Sequence, residues 1–337
     1  MLYKDLLDSG EGQGDLCLRE SIAKYIREFR GTLCTAEQVV VGAGMEYLIG
    51  IVSSLLEKDS AFALENPGYY KTYNLLKNLR RKMVLISVDK QGMQLDELRK
   101  TDATIAYLTP SHQFPTGVVM PVGRRIEFLK WAEEAENRYI IEDDYDSEFR
   151  FGSRPIPSIQ GLTESDKVIY ISTFSRMLAP SIRIAYMVLP LGLLGEYKEK
   201  FRYEASTISR FEQHTLNEFM DVGYFCRHIN RSRKLYKKKK DALVDAIHQY
   251  FEKGTVEIIG ADYGLHLLLR LDTELSEEAI IQRAKKNSIK IHGISQYYLS
   301  GTVLPHKACL VLGYAGMSLE EIDRGIALLS RVIASAN

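Results

Sequence analysis

The sequence predicts an α/β protein with a large, mostly parallel sheet covered by helices on both faces, followed by a smaller α/β unit at the C-terminal end. Two observations support this class. Short apolar runs alternate with amphipathic stretches from residue 39 onward, which is typical of parallel strands joined by helices. The chain also has 337 residues, of which 45% are hydrophobic, so it is long enough to bury a large core.

The first half of the chain supplies most strands of the large sheet. Residues 15–30 have one apolar helical face and are followed by Gly31, so an amphipathic helix is predicted there. Five short apolar runs bounded by turn-forming residues are predicted to be strands. They are residues 39–41, 61–64, 83–88, 104–108 and 139–142, with helices predicted at 95–100 and 124–137.

The second half completes the large sheet and adds the smaller unit. Strands are predicted at residues 168–171, 184–189, 256–259, 265–271 and 310–314. Helical patterns cover residues 191–225 with a break near 206–210, and then 276–287 and 319–334. We therefore expect an N-terminal helical segment that packs with the small domain (residues 1–35), a large domain (36–225) and a small C-terminal domain (226–337).

Composition excludes several functional classes. The 44 basic and 44 acidic side chains cancel, so no net charge draws the chain to nucleic acid or to a membrane surface. The four cysteines are scattered, which disfavours both a disulfide framework and a zinc site and favours a cytoplasmic protein without a metal. Residues 227–240 hold eight Lys or Arg, but apolar spacing continues beyond them, so a solvated helix face is favoured over a DNA contact.

Polar residues at strand ends suggest a binding site. Val41 leads through Gly42 and Gly44 into a helical pattern, and the free amides of a helix N-terminus favour an anion. Asp143 follows another strand, where α/β proteins place ligand-binding groups. Thr173, Ser175, Arg176 and Arg183 follow a third strand and could form an anion site, although an ordinary loop between buried strands explains them as well.

Two motifs resemble a known family. Residues 172–183 read S-T-F-S-R-M-L-A-P-S-I-R, which resembles the cofactor-lysine segment of fold-type-I pyridoxal phosphate (PLP) enzymes, in the form found in MocR-type regulators of the GntR superfamily. Residues 109–117 read T-P-S-H-Q-F-P-T-G, and they closely match a loop of the same aminotransferase-like domains. The turn at Gly42, the N-P-G-Y segment at 66–69 and Asp143 to Tyr145 follow the family order.

The resemblance implies a PLP site in a homodimer. The implied phosphate contacts are Ala43, Gly44, Met45, Thr173, Ser175 and Arg183. Tyr69 would stack on the pyridine ring, Asp143 would pair with the ring nitrogen, and Tyr145 would face the phenolic oxygen. In the family a lysine at position 176 forms the Schiff base.

Arg176 departs from that pattern, and so governs the expected function. A guanidinium group stays protonated and offers no amine, so no Schiff base is expected and PLP would be bound noncovalently or be absent. We therefore expect a PLP- or effector-sensing, dimerising domain of a MocR-type transcription regulator that binds a small effector or an amino acid. DNA contact would come from a winged-helix segment outside this chain. The alternatives are a PLP-dependent class I/II aminotransferase and a structural homologue without a ligand.

Overall fold

The computed structural model describes residues 6–152, 156–299 and 307–334. An eight-stranded sheet has the order β1-β8-β7-β6-β5-β2-β3-β4. Its strands are β1 (Val39–Gly42), β2 (Ala61–Asn66), β3 (Lys82–Asp89), β4 (Gly92–Met93), β5 (Ile105–Leu108), β6 (Tyr139–Asp143), β7 (Val168–Thr173) and β8 (Ala185–Val188).

The centre of this sheet is parallel, as the sequence predicts. Strands β3, β2, β5, β6 and β7 run in one direction, whereas β4 and β8 are antiparallel to their neighbours. Every residue of β2, β5 and β7 is buried, because helices cover both faces of a parallel sheet. Strand β1 pairs antiparallel with β8, so its carboxyl end lies at the same edge as that of β7.

Seven helices of the described chain accompany the large sheet. They are α1 (Leu16–Arg30), α2 (Met45–Leu55), α3 (Tyr70–Asn78), α4 (Leu95–Leu98), α5 (Val122–Glu133), α6 (Leu191–Lys200) and α7 (Arg210–Asp221). Helix α2 packs on one face of the sheet, and its Leu48 and Val52 are completely buried with Ile171 of β7. Helix α5 buries Phe128 and Trp131 on the other face. Burying each such aliphatic or aromatic side chain stabilises the fold by roughly 1.5–3 kcal/mol.

A second, antiparallel sheet has the order β11-β12-β10-β9. Its strands are β9 (Val256–Ile259), β10 (His266–Leu271), β11 (His292–Gly293) and β12 (Cys309–Gly313), and its helices are α8 (Tyr224–Tyr250), α9 (Glu277–Lys286) and α10 (Leu319–Ala334). Ser276 caps α9 by accepting a hydrogen bond from the amide of Ala279, as expected of a serine before a helix. The basic run at 227–240 lies on α8.

The N-terminal helix α1, which is predicted from the sequence to pack with the small domain, contacts both the large sheet and the start of α8. Leu18, Ile22 and Ile26 of α1 are completely buried, and they belong to the apolar cluster that also contains Val41 of β1 and Tyr186 of β8. The same cluster contains Phe225 and Ile229 of α8, and the ring of Tyr25 meets that of Phe225 edge to face at 5.0 Å. Helix α1 therefore packs between the large sheet and the first turns of α8.

Two features are absent from the described residues. None of their helices combines the length and the apolar character needed to cross a lipid bilayer. They also contain no group of three or more His, Cys, Asp or Glu side chains placed to hold a metal ion. The four cysteines, all of which lie in the described ranges, are free thiols.

Candidate ligand-binding site

A cavity of about 310 Å³ opens at the carboxyl edge of the large sheet. The carboxyl ends of the parallel strands β2, β5, β6 and β7 meet at this edge, and the turn from β1 into α2 joins them. Eight residues predicted for the site line the cavity: Met45, Tyr69, Asp143, Tyr145, Thr173, Ser175, Arg176 and Arg183. Ala43 and Gly44, the other two predicted residues, form the turn beside it.

Asp143 is the buried acid of the cavity. Its Oδ2 accepts a hydrogen bond of 2.6 Å from the hydroxyl of Tyr107, while its buried Oδ1 has no protein partner among the described residues. The pKa of Asp143 is raised to about 7, mainly by burial and also by the charges of Asp144 and Asp146, while the hydrogen bond from Tyr107 lowers it. An orphaned oxygen that faces a cavity fits a ligand that donates a hydrogen bond there.

Asp144 points away from the cavity into a polar network. Its Oδ2 lies 2.6 Å from Nε of Arg30, and it also accepts hydrogen bonds from the hydroxyls of Tyr170 and Ser147. Burial raises the pKa of Asp144, but the Arg30 charge and these hydrogen bonds outweigh it, so the pKa is lowered overall. The pair ties α1 to the strand that carries Asp143.

The turn between β1 and α2 lies at what we call the anion end of the cavity, the end where the sequence predicts an anion. Gly44 has a φ of +94°, and a Cβ there would lie 2.6 Å from Nη2 of Arg183, so the glycine lets the guanidinium approach the turn. That same Nη2 donates to Oε2 of Glu46 at 2.7 Å. The amide of Ala43 donates to Oγ1 of Thr207 at 3.0 Å. Two of the predicted phosphate donors, the Arg183 guanidinium and the Ala43 amide, therefore already have acceptors within the chain.

The predicted hydroxyl donors are also engaged. Oγ of Ser175 donates to the carbonyl oxygen of Ile182 at 2.6 Å, and Oγ1 of Thr173 donates to that of Ile184 at 3.3 Å. Oγ1 of Thr173 accepts from the amide of Ser175. A hydroxyl has one hydrogen to donate, so these two side chains hold the loop together in this arrangement.

Arg176 lines the cavity and is exposed. Its side chain makes no hydrogen bond or ion pair with the described residues. Burial raises the pKa of Tyr145 well above its ordinary value, and the positive charge of Arg176 acts in the opposite direction and lowers it. A free guanidinium group in this position is suited to binding an anionic or hydrogen-bond-accepting group of a ligand.

Aromatic rings form the mouth of the cavity. Tyr69 is 40% exposed, and its ring meets that of Phe114 edge to face at a centroid distance of 5.5 Å. Phe114 meets Tyr297 in the same way at 5.0 Å. Tyr69 therefore leaves a ring face accessible, as stacking on a flat ligand requires, while the Phe114 contact fixes its position.

His112 connects the cavity wall to the second sheet. The hydroxyl of Tyr145 donates to the carbonyl oxygen of His112 at 2.9 Å, and Nδ1 of His112 lies 3.0 Å from Oδ2 of Asp146. The ring of His266 on β10 lies 4.5 Å from the His112 ring, and Nε2 of His266 donates to the carbonyl oxygen of Pro115. Burial, and then His112, lower the pKa of His266 to about 3, so this histidine is neutral.

Several lining residues received no role in the sequence prediction. These are Glu46, Lys71, Thr72, Tyr107, Thr109, Phe114 and Pro180. Glu46 directly follows the predicted anion turn, so its acidic charge was a visible signal. Tyr107 lies on a strand that reads as uniformly apolar, and only the pairing of β5 with β6 places its hydroxyl against Asp143.

The fold and the cavity together define the class of fold-type-I PLP proteins. The family model for aminotransferase class I and II matches residues 4–329. The chain belongs to this family, and it has the aminotransferase-like domain that MocR-type regulators of the GntR superfamily carry.

Curated relatives and solved structures agree with this membership. The chain is 39% identical to the HTH-type transcriptional regulator YdeL of Bacillus subtilis over 96% of this chain and 69% of the relative. It is 31% identical to the probable rhizopine catabolism regulatory protein MocR of Rhizobium meliloti, over 92% and 62%. The kynurenine aminotransferase of Pyrococcus horikoshii superposes with a TM-score of 0.86 at 25% identity, covering 99% of this chain and 84% of that one. The chain thus spans about two thirds of each regulator.

Proposed function

We propose that this chain is the ligand-sensing, dimerising domain of a cytoplasmic MocR-type transcription regulator, and that it binds a pyridoxyl ligand without a covalent bond. The observation that carries the proposal is Arg176, which lines the cavity where the family resemblance places the cofactor lysine. The likeness to named transcription regulators over more than 90% of the chain supports the same function.

The ring end of the cavity fits a pyridoxyl group. The unpartnered Oδ1 of Asp143 is placed to accept a hydrogen bond from a protonated ring nitrogen, and the accessible face of Tyr69 suits stacking. When bound, a protonated pyridine ring withdraws electrons from the carbon at its 4-position. The chain's own residues hold the ring: Asp143 orients it, and Tyr145 and Arg176 line the side where the phenolic oxygen would lie.

The guanidinium of Arg176 limits the chemistry of the site. It remains protonated at any working pH, so it can neither attack a carbonyl carbon nor carry a proton between two carbons. A receptor needs only reversible binding, and Arg176 permits that. The likeness to kynurenine aminotransferase supports the second candidate, a class I/II aminotransferase, but that activity requires an amine which position 176 does not supply.

The substitution Arg176→Lys tests the missing covalent bond. After addition of PLP and reduction with borohydride, the unmodified chain is expected to carry no pyridoxyl label on the peptide that contains residue 176, whereas Arg176→Lys is expected to carry one. Mass spectrometry of the digested protein measures both. Arg231→Lys, which adds a lysine on the exposed face of α8, controls for reaction at surface amines. Transamination by the unmodified chain would refute the proposal.

The regulator's other partners follow from the same proposal. A second copy of the chain is the expected partner, and light scattering that shows only monomer would oppose this. DNA contact is assigned to a winged-helix segment and not to the basic face of α8. Lys237 and Lys240 on that face are paired with Asp241, and Lys239 donates to the carbonyl oxygen of Ala315. The effector is a small molecule or an amino acid.

A further inference from the structure

At the anion end of the cavity, the guanidinium group of Arg183 is already paired with the carboxylate of Glu46. Nη2 of Arg183 lies 2.7 Å from Oε2 of Glu46, and the two side chains are 55% and 47% exposed. Glu46 lies in the first turn of α2, which is eleven residues long. The N-cap residue is Gly44, so no side chain caps the amides at the start of this helix. The carboxylate therefore has the arginine as its partner and also lies in the favourable field of the helix N-terminus.

Glu46 differs from Thr207, the other side chain that accepts a hydrogen bond at this turn, in its charge and in what it can donate. An ionised carboxylate can only accept hydrogen bonds, so it cannot become a donor to an arriving phosphate. The hydroxyl of Thr207, which accepts from the amide of Ala43, can rotate and donate instead. Glu46 thus neutralises Arg183 and repels a dianion, whereas Thr207 does neither.

Some donors at the turn are still open. Helix geometry leaves the amides of Met45, Glu46 and Tyr47 without an intrahelical acceptor. A phosphate can therefore still enter, but it has to displace the Glu46 carboxylate from Arg183 and then remain near its negative charge. The ring end has no such competitor, because Oδ1 of Asp143 lacks a protein partner in the described chain.

We propose that Glu46 determines the ligand specificity of this site by acting as an internal counter-anion. It cancels most of the affinity that a phosphate group would contribute, so the cavity selects the pyridine ring and binds phosphorylated and unphosphorylated B6 compounds with similar affinity. This inference rests on the proposed binding of a pyridoxyl ligand, and it assigns to Glu46 the choice between two forms of that ligand.

Isothermal titration calorimetry with pyridoxine and pyridoxine 5′-phosphate tests the inference. Neither compound has an aldehyde, so neither reacts with surface lysines. The unmodified chain is expected to bind the two with dissociation constants within about threefold of each other. Glu46→Gln is expected to bind pyridoxine 5′-phosphate about tenfold more tightly, which corresponds to about 1.4 kcal/mol, and to leave pyridoxine binding unchanged. Glu278→Gln, in the first turn of α9, removes one exposed acid elsewhere and should change neither constant.

The outcomes separate the two proposals. A preference of the unmodified chain for the phosphorylated compound of more than a hundredfold would overturn the role of Glu46. So would a Glu46→Gln variant that binds both compounds as the unmodified chain does. Either result would leave pyridoxyl binding itself intact. Failure of both compounds to bind either variant would instead overturn the proposed function, and the role of Glu46 with it.

Discussion

Replacing Asp143 by Asn should change how the stability of the protein depends on pH. The pKa of Asp143 is raised by burial from 3.8 to about 7, so the folded state keeps a proton that the unfolded state has released. Stability from such a group is complete below the unfolded pKa and is lost as the pH rises through the folded one. The amide side chain of the Asp143→Asn variant would not titrate, and the hydroxyl of Tyr107 could still donate to its carbonyl oxygen.

The size of the effect follows from the two pKa values. Between pH 5 and pH 8, ionising Asp143 stabilises the unfolded chain by about 4 kcal/mol, whereas it stabilises the folded chain by only about 1 kcal/mol. The free energy of unfolding of Asp143→Asn, relative to the unmodified protein, should therefore rise by on the order of 3 kcal/mol across this range. Burial also raises the pKa of three other acids to about 7: Glu65, Glu142 and Glu148. Glu142 and Glu148 contribute equally to both proteins and cancel, whereas Glu65 keeps only a small difference, because the charge of Asp143 is the smallest of the causes that set its pKa.

Urea unfolding followed by circular dichroism at pH 5, 6, 7 and 8 measures this difference. Asp245→Asn makes the same chemical change at an exposed position on α8 and controls for the loss of one acid. A difference between Asp143→Asn and the unmodified protein that stays constant across the four pH values would refute the reasoning. The same variant should also bind pyridoxine more weakly at pH 8, where Asp143 is ionised, because an amide cannot supply a charged acceptor to the ring nitrogen.

Two further substitutions test packing around the site. Arg30→Met leaves the charge of Asp144 buried without its ion pair and should cost about 3–5 kcal/mol in urea unfolding, whereas a loss below about 1 kcal/mol would mean that the pair is not structural. Gly264→Ala and Gly254→Ala both place alanine at positive φ, which costs about 1 kcal/mol. A Cβ at Gly264 would also overlap the His112 ring, whereas Gly254 faces open space. The Gly264→Ala variant should therefore be less stable than the Gly254→Ala variant by at least about 2 kcal/mol. Equal shifts in melting temperature for the two variants would contradict this.

Local sequence patterns were sufficient for seven of the eight strands of the large sheet, and they missed the two-residue strand β4. The uniformly apolar runs of β2, β5 and β7 predicted buried parallel strands, and the motif order predicted that Asp143 and Thr173 would meet at one edge. The periodicity of α1 predicted its apolar face, but periodicity alone does not identify the surfaces that bury this face, which are the large sheet and the start of α8.

The sequence also could not show that the predicted donors at the anion end already have hydrogen-bond acceptors within the chain. Motif positions identify Thr173, Ser175 and Arg183 as candidate donors, but whether a donor is free depends on three-dimensional contacts. Ser175 lies seven residues before the carbonyl of Ile182 that it contacts, and Arg183 is 137 positions from Glu46. Contacts at such separations follow from sheet order and loop geometry, which no local pattern contains.

His112 lies between the cavity wall and the four-stranded sheet and contacts both. A rotation of the four-stranded sheet has to pull His266 away from the His112 ring and from the carbonyl of Pro115. On the cavity side, the hydroxyl of Tyr145 donates to the backbone carbonyl oxygen of the same residue, His112. His112 therefore contacts both the cavity wall and the second sheet, and such a contact is what a change in the cavity would need in order to reach the small domain.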